Sequence, residues 1–241
     1  MTLIKTDKNY IYLENIHSEV NPEEISLIEA MKTRRTCRAY SDKKVELKTL
    51  KKILSISQNS ASACNEQMWK FINIDDENIL NELYLRGSAA FLNKAKQALL
   101  VLYDNSTINK KYADQMQSGA SFISNFMLVA HVHGIGTCWV CHLPRKAELR
   151  KMFNIPKNYD PVALVSYGNY RGKMKQRTIK YEVENNLFHN KITNLKYKYD
   201  YKNFIKWILI EIYYLTPSFI RKQIRKKSYP YEKKFYNHID E

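Results

Sequence analysis

The stretch Tyr112–His133 has helical length, stops at Gly134, and is apolar on most sides from Phe122 to Val132. A helix at a protein surface keeps a polar stripe toward water, so one without a stripe must be covered nearly all round. The rest of the chain has to supply that cover. Two apolar, strand-like runs flank the helix: Gln97–Tyr103, apolar enough to be buried on both faces, and Pro161–Tyr167. A chain of 241 residues suits one domain, or one domain with a tail, and 44% hydrophobic residues can fill a core.

Other segments fit around this centre. Asn21-Pro22-Glu23-Glu24 predicts a helix start, with Asn21 as cap and Ile25, Ile28 and Met31 repeating at helical spacing into Thr33. Leu47, Leu50, Ile53 and Leu54 share one face of a helix predicted over Leu47–Ile56. Ser57–Glu66, rich in Ser, Asn and Ala, reads as a loop. Trp69–Ile74 and Thr137–Leu143 read as strands, and Pro144–Phe153 as a short helix. Strands alternating with helices argue for a layered α/β or α+β domain.

After Gly168 the character changes. Residues 171–206 hold ten Lys/Arg (171, 173, 175, 177, 180, 191, 196, 198, 202, 206) against three acids (182, 184, 200). An apolar and aromatic stretch, Phe204–Ile220, is followed by Arg221-Lys222-Gln223-Ile224-Arg225-Lys226-Lys227. The division expected is a domain over 1–185 and a C-terminal extension over 186–241. Phe204–Ile220 is too short for a membrane span, and Lys206, Glu211 and Pro217 interrupt it. Two readings remain. Trp207, Tyr213, Tyr214 and the basic run suit a helix lying on an anionic membrane surface. The lack of a clean polar face suits an arm packed on a partner subunit, and that reading is preferred.

The formal net charge of +15 favours anionic partners. Much of the excess lies in the tail, and no nucleic-acid-binding motif appears, so a basic binding protein that is no enzyme is only the rival reading. Met1–Tyr10 carries Lys5 and Lys8 and no apolar run, which predicts no secretory signal. Cys37, Cys64, Cys138 and Cys141 do not suggest a disulfide framework. The expected place is the cytoplasm, with the inner face of the membrane as an alternative through the tail. Cys138-x-x-Cys141-His142, with His131 and His133 nearby, invites a zinc or dithiol reading. Residues three apart on a strand point to opposite sides, so the two sulfurs should diverge, and no metal site is expected.

Three segments carry the chemistry together. Arg34-Arg35-Thr36-Cys37-Arg38, just after a helix, clusters guanidiniums and a hydroxyl as a phosphate requires. Ser62-Ala63-Cys64-Asn65-Glu66-Gln67-Met68-Trp69 is a polar loop entering a strand, and Gly134-Ile135-Gly136-Thr137-Cys138-Trp139 leads to Val140-Cys141-His142. In this order and at these separations they resemble the nitroreductase family. Its pattern is Arg-Arg-Ser-x-Arg, then Pro-Ser-x-x-Asn-x-Gln-Pro-Trp, a long buried helix ending in Gly-Leu-Gly-Thr-x-Trp, a strand ending in Gly, and a late Lys-x-Arg, here Lys175-Gln176-Arg177. The resemblance covers roughly Ile25 to Lys180.

The resemblance implies an α+β sandwich, with a mixed, mainly antiparallel sheet flanked by helices, working as an obligate homodimer with FMN in a groove between subunits. By position it assigns Arg34, Arg35, Thr36, Lys175 and Arg177 to the phosphate side, and Arg38 to the N1–C2 carbonyl edge of the flavin. Ser62, Ala63 and Asn65 would come from the partner subunit, and the backbone N–H of Cys141 or His142 would face flavin N5. No side chain is expected to act as nucleophile or acid–base catalyst. The implied cycle is ping-pong: NADH or NADPH reduces FMN and leaves, and a small oxidant of nitro, quinone or enone type follows; a flavin-dependent dehydrogenase of a biosynthetic pathway is the alternative. The chain departs from the pattern at Ala61 and Met68, where the family has proline, and at Cys141-His142, where many relatives have a small or acidic residue and glycine. The last departure falls on the substrate side.

Overall fold

A computed structural model describes residues 6–7, 10–11, 25–106, 108–109, 111–170, 174–175, 179–192 and 201–237. A small sheet joins β1 (Thr6–Asp7), β2 (Tyr10–Ile11) and β7 (Met174–Lys175). The main sheet has four strands: β3 (Trp69–Ile74), β4 (Gln97–Asp104), β5 (Ile135–Val140) and β6 (Tyr159–Asn169). Their order is β3-β4-β6-β5 and every pairing is antiparallel. Helices α1 (Leu27–Thr33), α2 (Leu47–Ser57), α3 (Glu77–Leu85), α4 (Asp114–Val132) and α5 (Lys146–Phe153) belong to the same body. The tail forms α6 (Tyr201–Leu215) and α7 (Ser218–Asn237).

The sheet separates two apolar layers, and β4 shows why it must be central. Leu99, Val101 and Tyr103 face a cluster with Leu50, Ile53, Phe122 and Phe126 of α2 and α4. Ala98, Leu100 and Leu102 face a second cluster with Leu80, Leu83, Phe91 and Leu149. Alternate residues of a strand point to opposite faces, so the six apolar positions from Ala98 to Tyr103 serve both layers. Each fully buried Leu or Phe contributes about 1.5–3 kcal/mol. The central helix is covered as its composition demands: Phe122, Ile123, Phe126 and Ala130 are buried. It stops because Gly134 takes φ +70°, a turn that glycine makes without strain.

Two boundaries differ from the sequence expectation. The described part of the first helix begins at Leu27, where the Ser26 hydroxyl accepts from the Glu29 N–H at 3.2 Å; the start expected at Asn21 lies outside the described residues. The third strand runs Ile135–Val140 rather than Thr137–Leu143. Ile135 pairs with Asn169 directly after the Gly134 turn, and pairing ends at Val140 opposite Leu164, leaving Cys141–Leu143 beyond the sheet.

The tail docks on its own chain. The Arg221 side chain is 1% exposed and meets Glu148 of α5 at 2.7 Å, Lys222 meets Glu82 of α3 at 2.6 Å, and the Arg225 guanidinium stacks 4.8 Å from the Tyr84 ring. Three of the five cations in the run Arg221–Lys227 are thus spent on intramolecular contacts. The outer face of α6, with Phe204, Trp207, Ile212 and Leu215, stays exposed within the chain. Among the described residues no helix is long and apolar enough to cross a membrane.

Candidate functional site

Past α1 the chain extends and lies along the free edge of β5. The Cys37 N–H donates to the Thr137 carbonyl at 2.8 Å, and Thr36 forms a parallel bridge with Thr137. This bridge lies outside the named strands; the four-stranded sheet itself is antiparallel throughout rather than mixed. Cys37 is buried, while Thr36 and Arg38 on either side of it are exposed, as the two-residue period of extended chain requires. The close approach depends on Gly136, where an added Cβ would lie 2.8 Å from both the Cys37 Sγ and the Tyr170 Cβ. Tyr40 fixes the far end: its hydroxyl donates to the Cys37 carbonyl at 2.8 Å and shares a 2.8 Å hydrogen bond with Ser166 Oγ.

Within this segment the cations take different places. Arg35 turns back on the helix, its Nη1 donating to the carbonyls of Lys32 at 2.7 Å and of Arg34 at 2.8 Å. Arg38 reaches the opposite layer, 5.9 Å from the Phe91 ring centroid, and its charge opposes the burial that pushes the Cys138 thiol up to about 11. Arg34 stands near His131 at the end of α4. Burial first, then the charges of Arg34 and Arg35, lower His131 to about 4. Thr33 Oγ1 gives its proton to the Glu29 carbonyl at 2.7 Å, so the 2.8 Å contact with His131 needs the proton on Nε2. With its basicity lowered in this way His131 is neutral near pH 7, and Arg34, Thr36 and Arg38 bring two guanidiniums and a hydroxyl to one short stretch of chain.

The polar loop is built by local strain. Cys64, Asn65 and Gln67 hold φ of 50°, 57° and 53°, a left-handed conformation that costs of order 1–3 kcal/mol per non-glycine residue. Hydrogen bonds hold it there: the Gln67 N–H donates to Ser62 Oγ at 3.1 Å, Gln67 Nε2 donates to Asn65 Oδ1 at 2.8 Å, and the Ala63 N–H donates to Ser118 Oγ at 3.0 Å. Ser118 and His131 lie thirteen positions apart on α4. At 1.5 Å per residue that is about 20 Å. Within one chain the loop and the basic segment therefore sit at opposite ends of the same helix.

Cys141 and His142 follow β5 and are exposed, whereas Cys138 is buried; the divergence expected of a strand does not apply, because β5 ends at Val140 and both thiols approach the Trp139 carbonyl, at 3.6 Å for Cys138 and 4.0 Å for Cys141. Among the described residues no cluster of His, Cys, Asp and Glu could hold a metal. Lys175 is described only as backbone of β7, paired with Tyr10, and Arg177 lies outside the described residues. Residues 86–93 have no counterpart in the sequence reading, yet they bring Phe91 to Arg38 and set Ser88 and His142 in the lining of one cleft between the core and the tail. Their one local signal is Gly87, at φ +121°.

The model of the family described as Nitroreductase family matches residues 31–116 and 84–169, which together span the basic segment, the loop, the central helix and the main sheet. A protein of Archaeoglobus fulgidus named "Putative NADH dehydrogenase/NAD(P)H nitroreductase" is 33% identical over 56% of this chain and 80% of its own length. Among solved structures, an FMN-dependent nitroreductase from Clostridium difficile R20291 is similar over 68% of this chain and 99% of its own, with a TM-score of 0.59 and 24% identity. A nitroreductase structure in complex with FMN from Exiguobacterium sibiricum 255-15 matches 69% of this chain and 98% of its own at a TM-score of 0.60 and 18% identity. The matched residues are those that lay the basic segment on β5 and stretch α4 between it and the loop, and on that ground the chain belongs to the nitroreductase family.

Proposed function

We propose that this protein is an FMN-dependent NAD(P)H oxidoreductase that works as a homodimer in the cytoplasm. The observation that carries the reading is the edge segment, which turns Thr36 and Arg38 outward from β5 with Arg34 beside them. The names of the relatives, one FMN-dependent, one in complex with FMN and one an NAD(P)H nitroreductase, support FMN and a nicotinamide nucleotide. Four free thiols fit a reducing compartment, and the inward use of Arg221, Lys222 and Arg225 weakens the case for a membrane surface.

The residues fit the cofactor. Two guanidiniums and a hydroxyl suit a phosphate and an electron-rich ring edge, and Gly136 keeps the segment that bears them close to the sheet. FMN, when bound, supplies hydride transfer at N5 and accepts negative charge toward its N1–C2 edge. To Arg38 we assign the stabilisation of that charge, which grows only as the reaction proceeds. Arg34 and Thr36, with Arg35, Lys175 and Arg177, serve the phosphate side. The backbone after β5, at Cys141 and His142, serves the N5 side. Ser62, Ala63 and Asn65 cannot reach across about 20 Å in their own chain, so they complete the partner's site. This is the physical reason for the dimer.

The reductant is NADH or NADPH and the oxidant a small nitro, quinone or enone compound, exchanged in turn at one site. Residues 186–241 form an extension of the domain at 1–185. Denaturing the purified protein and chromatographing the released flavin tests the reading. FMN is expected; FAD, or no flavin after reconstitution, would overturn it.

A further inference from the structure

Between the core and the tail lies a cleft of about 390 Å³, lined by Gly87–Ala90 and His142 on the core side and by α6 and α7 on the other. It touches the proposed flavin site twice. His142 adjoins Cys141, the pair read as facing N5, and the cleft wall at Ala90 continues into Phe91, whose ring lies 5.9 Å from the Arg38 guanidinium. The tail is held in place by the buried Arg221–Glu148 contact and by Tyr214, whose hydroxyl donates to the Leu143 carbonyl at 3.1 Å next to His142. The side of the cleft formed by α6 and α7 lies beyond the residues that match the family model.

The lining has a definite chemistry. Lys206, Arg225 and His142 contribute to it and no carboxylate does. Among the described residues no acid pairs with Lys206 within 4.0 Å. Ser88 is 0% exposed, lines the cleft, and its Oγ makes no hydrogen bond among the described residues. A buried hydroxyl without a partner costs of order 1–3 kcal/mol, which a ligand oxygen relieves. Tyr213 and Tyr214, with ring centroids 5.6 Å apart, and Leu209 and Ile210 make the remaining wall flat and apolar. The volume suits a one- or two-ring molecule and is at the small end for a ligand pocket.

We propose that the C-terminal extension forms the substrate wall of the flavin site, and that the cleft selects a small aromatic oxidant bearing an anionic group. The ammonium of Lys206 and the Ser88 hydroxyl take the anionic oxygen, the tyrosine rings take the aromatic face, and the reducible group points toward His142. This inference rests on the flavin reading for the word oxidant, but binding itself does not depend on it.

Titration calorimetry of the full-length protein with 4-nitrobenzoate and with the neutral 4-nitrobenzamide, with and without FMN, tests the cleft. The carboxylate should bind at least tenfold more tightly than the amide. Lys206→Glu, at an exposed position, should remove that preference and leave amide binding unchanged, and Ser88→Ala should weaken the carboxylate alone. The same preference should appear in kcat/KM with NADPH, where the nitro group takes a hydride and a proton and is released as nitroso compound and water. Equal binding of both probes, or a preference indifferent to Lys206→Glu, would overturn the cleft while leaving flavin reduction intact. Carboxylate binding that depends on Lys206 in a protein that takes up no FMN would sustain the anion site and overturn the flavin reading instead.

Discussion

A β-carbon on Gly136 would stand 2.8 Å from the sulfur of Cys37, so the exposed pair Thr36 and Arg38 is set by the absence of one methyl group. Gly136→Ala should push the segment off the edge of β5. Overpacking of this kind costs about 1–3 kcal/mol. The loss should appear more strongly in FMN affinity than in thermal stability, because the displaced residues belong to the site. Flavin titration beside a thermal melt reads both; an unchanged FMN affinity would contradict the placement.

His131 gives a pH signature. In the folded protein it is lowered to about 4, by burial first and then by Arg34 and Arg35, and in the unfolded chain it returns to the ordinary 6.5. Between these values the unfolded chain binds a proton that the folded one does not. Its contribution is therefore fully present above pH 6.5 and lost as pH falls from 6.5 toward 4, by up to about 3 kcal/mol at 1.36 kcal/mol per unit. Urea melts at pH 7 and pH 4.5 should show this loss in the wild type, and His131→Gln should flatten it. An identical slope in the variant would contradict the neutral, buried histidine.

Arg221→Met removes the buried partner of Glu148 and leaves it with Arg86 at 3.5 Å and the Arg145 N–H at 3.3 Å. Breaking a buried pair from one side costs about 3–5 kcal/mol. The expected outcome is local: faster proteolysis around Thr216-Pro217 and faster hydrogen exchange in α7, with exchange in β4 unchanged. Uniform loss of protection across the sheet would contradict a separately docked tail.

The shared site predicts complementation. Arg38→Ala and Asn65→Ala homodimers should each be impaired, because each lacks one half of every site. Random reassortment of the two gives heterodimers with one intact site, and so about a quarter of wild-type sites. Activity that never rises above that of the separate variants after co-refolding would place both halves in one chain.

The fold was legible where packing follows local pattern. Leu47, Leu50, Ile53 and Leu54 announced α2, Trp69–Ile74 was read to the residue, and the unbroken apolar run of β4 reported two covered faces. Helix α3 has no counterpart in the sequence reading, although Asp76 caps it and Leu80, Leu83 and Tyr84 are buried at helical spacing. The tail was the least legible part. Whether Arg221 faces lipid, a partner or its own core depends on Glu148, seventy-three positions away, and no local spacing encodes that contact. The same holds for the site: the residue types of Arg34, Thr36 and Arg38 could be read directly, but the roles of Gly136 and Phe91 in holding them arise from contacts distant in sequence.

The most direct test of the central claim is anaerobic addition of NADH and of NADPH to protein loaded with one FMN per chain, followed by its visible spectrum in a stopped-flow instrument. The flavin band should bleach with at least one nucleotide and return when a nitroaromatic or quinone is added. Arg38→Ala should slow the bleaching more than it weakens FMN binding. A band that neither nucleotide changes, in protein that holds its FMN, would contradict an NAD(P)H-dependent flavin oxidoreductase.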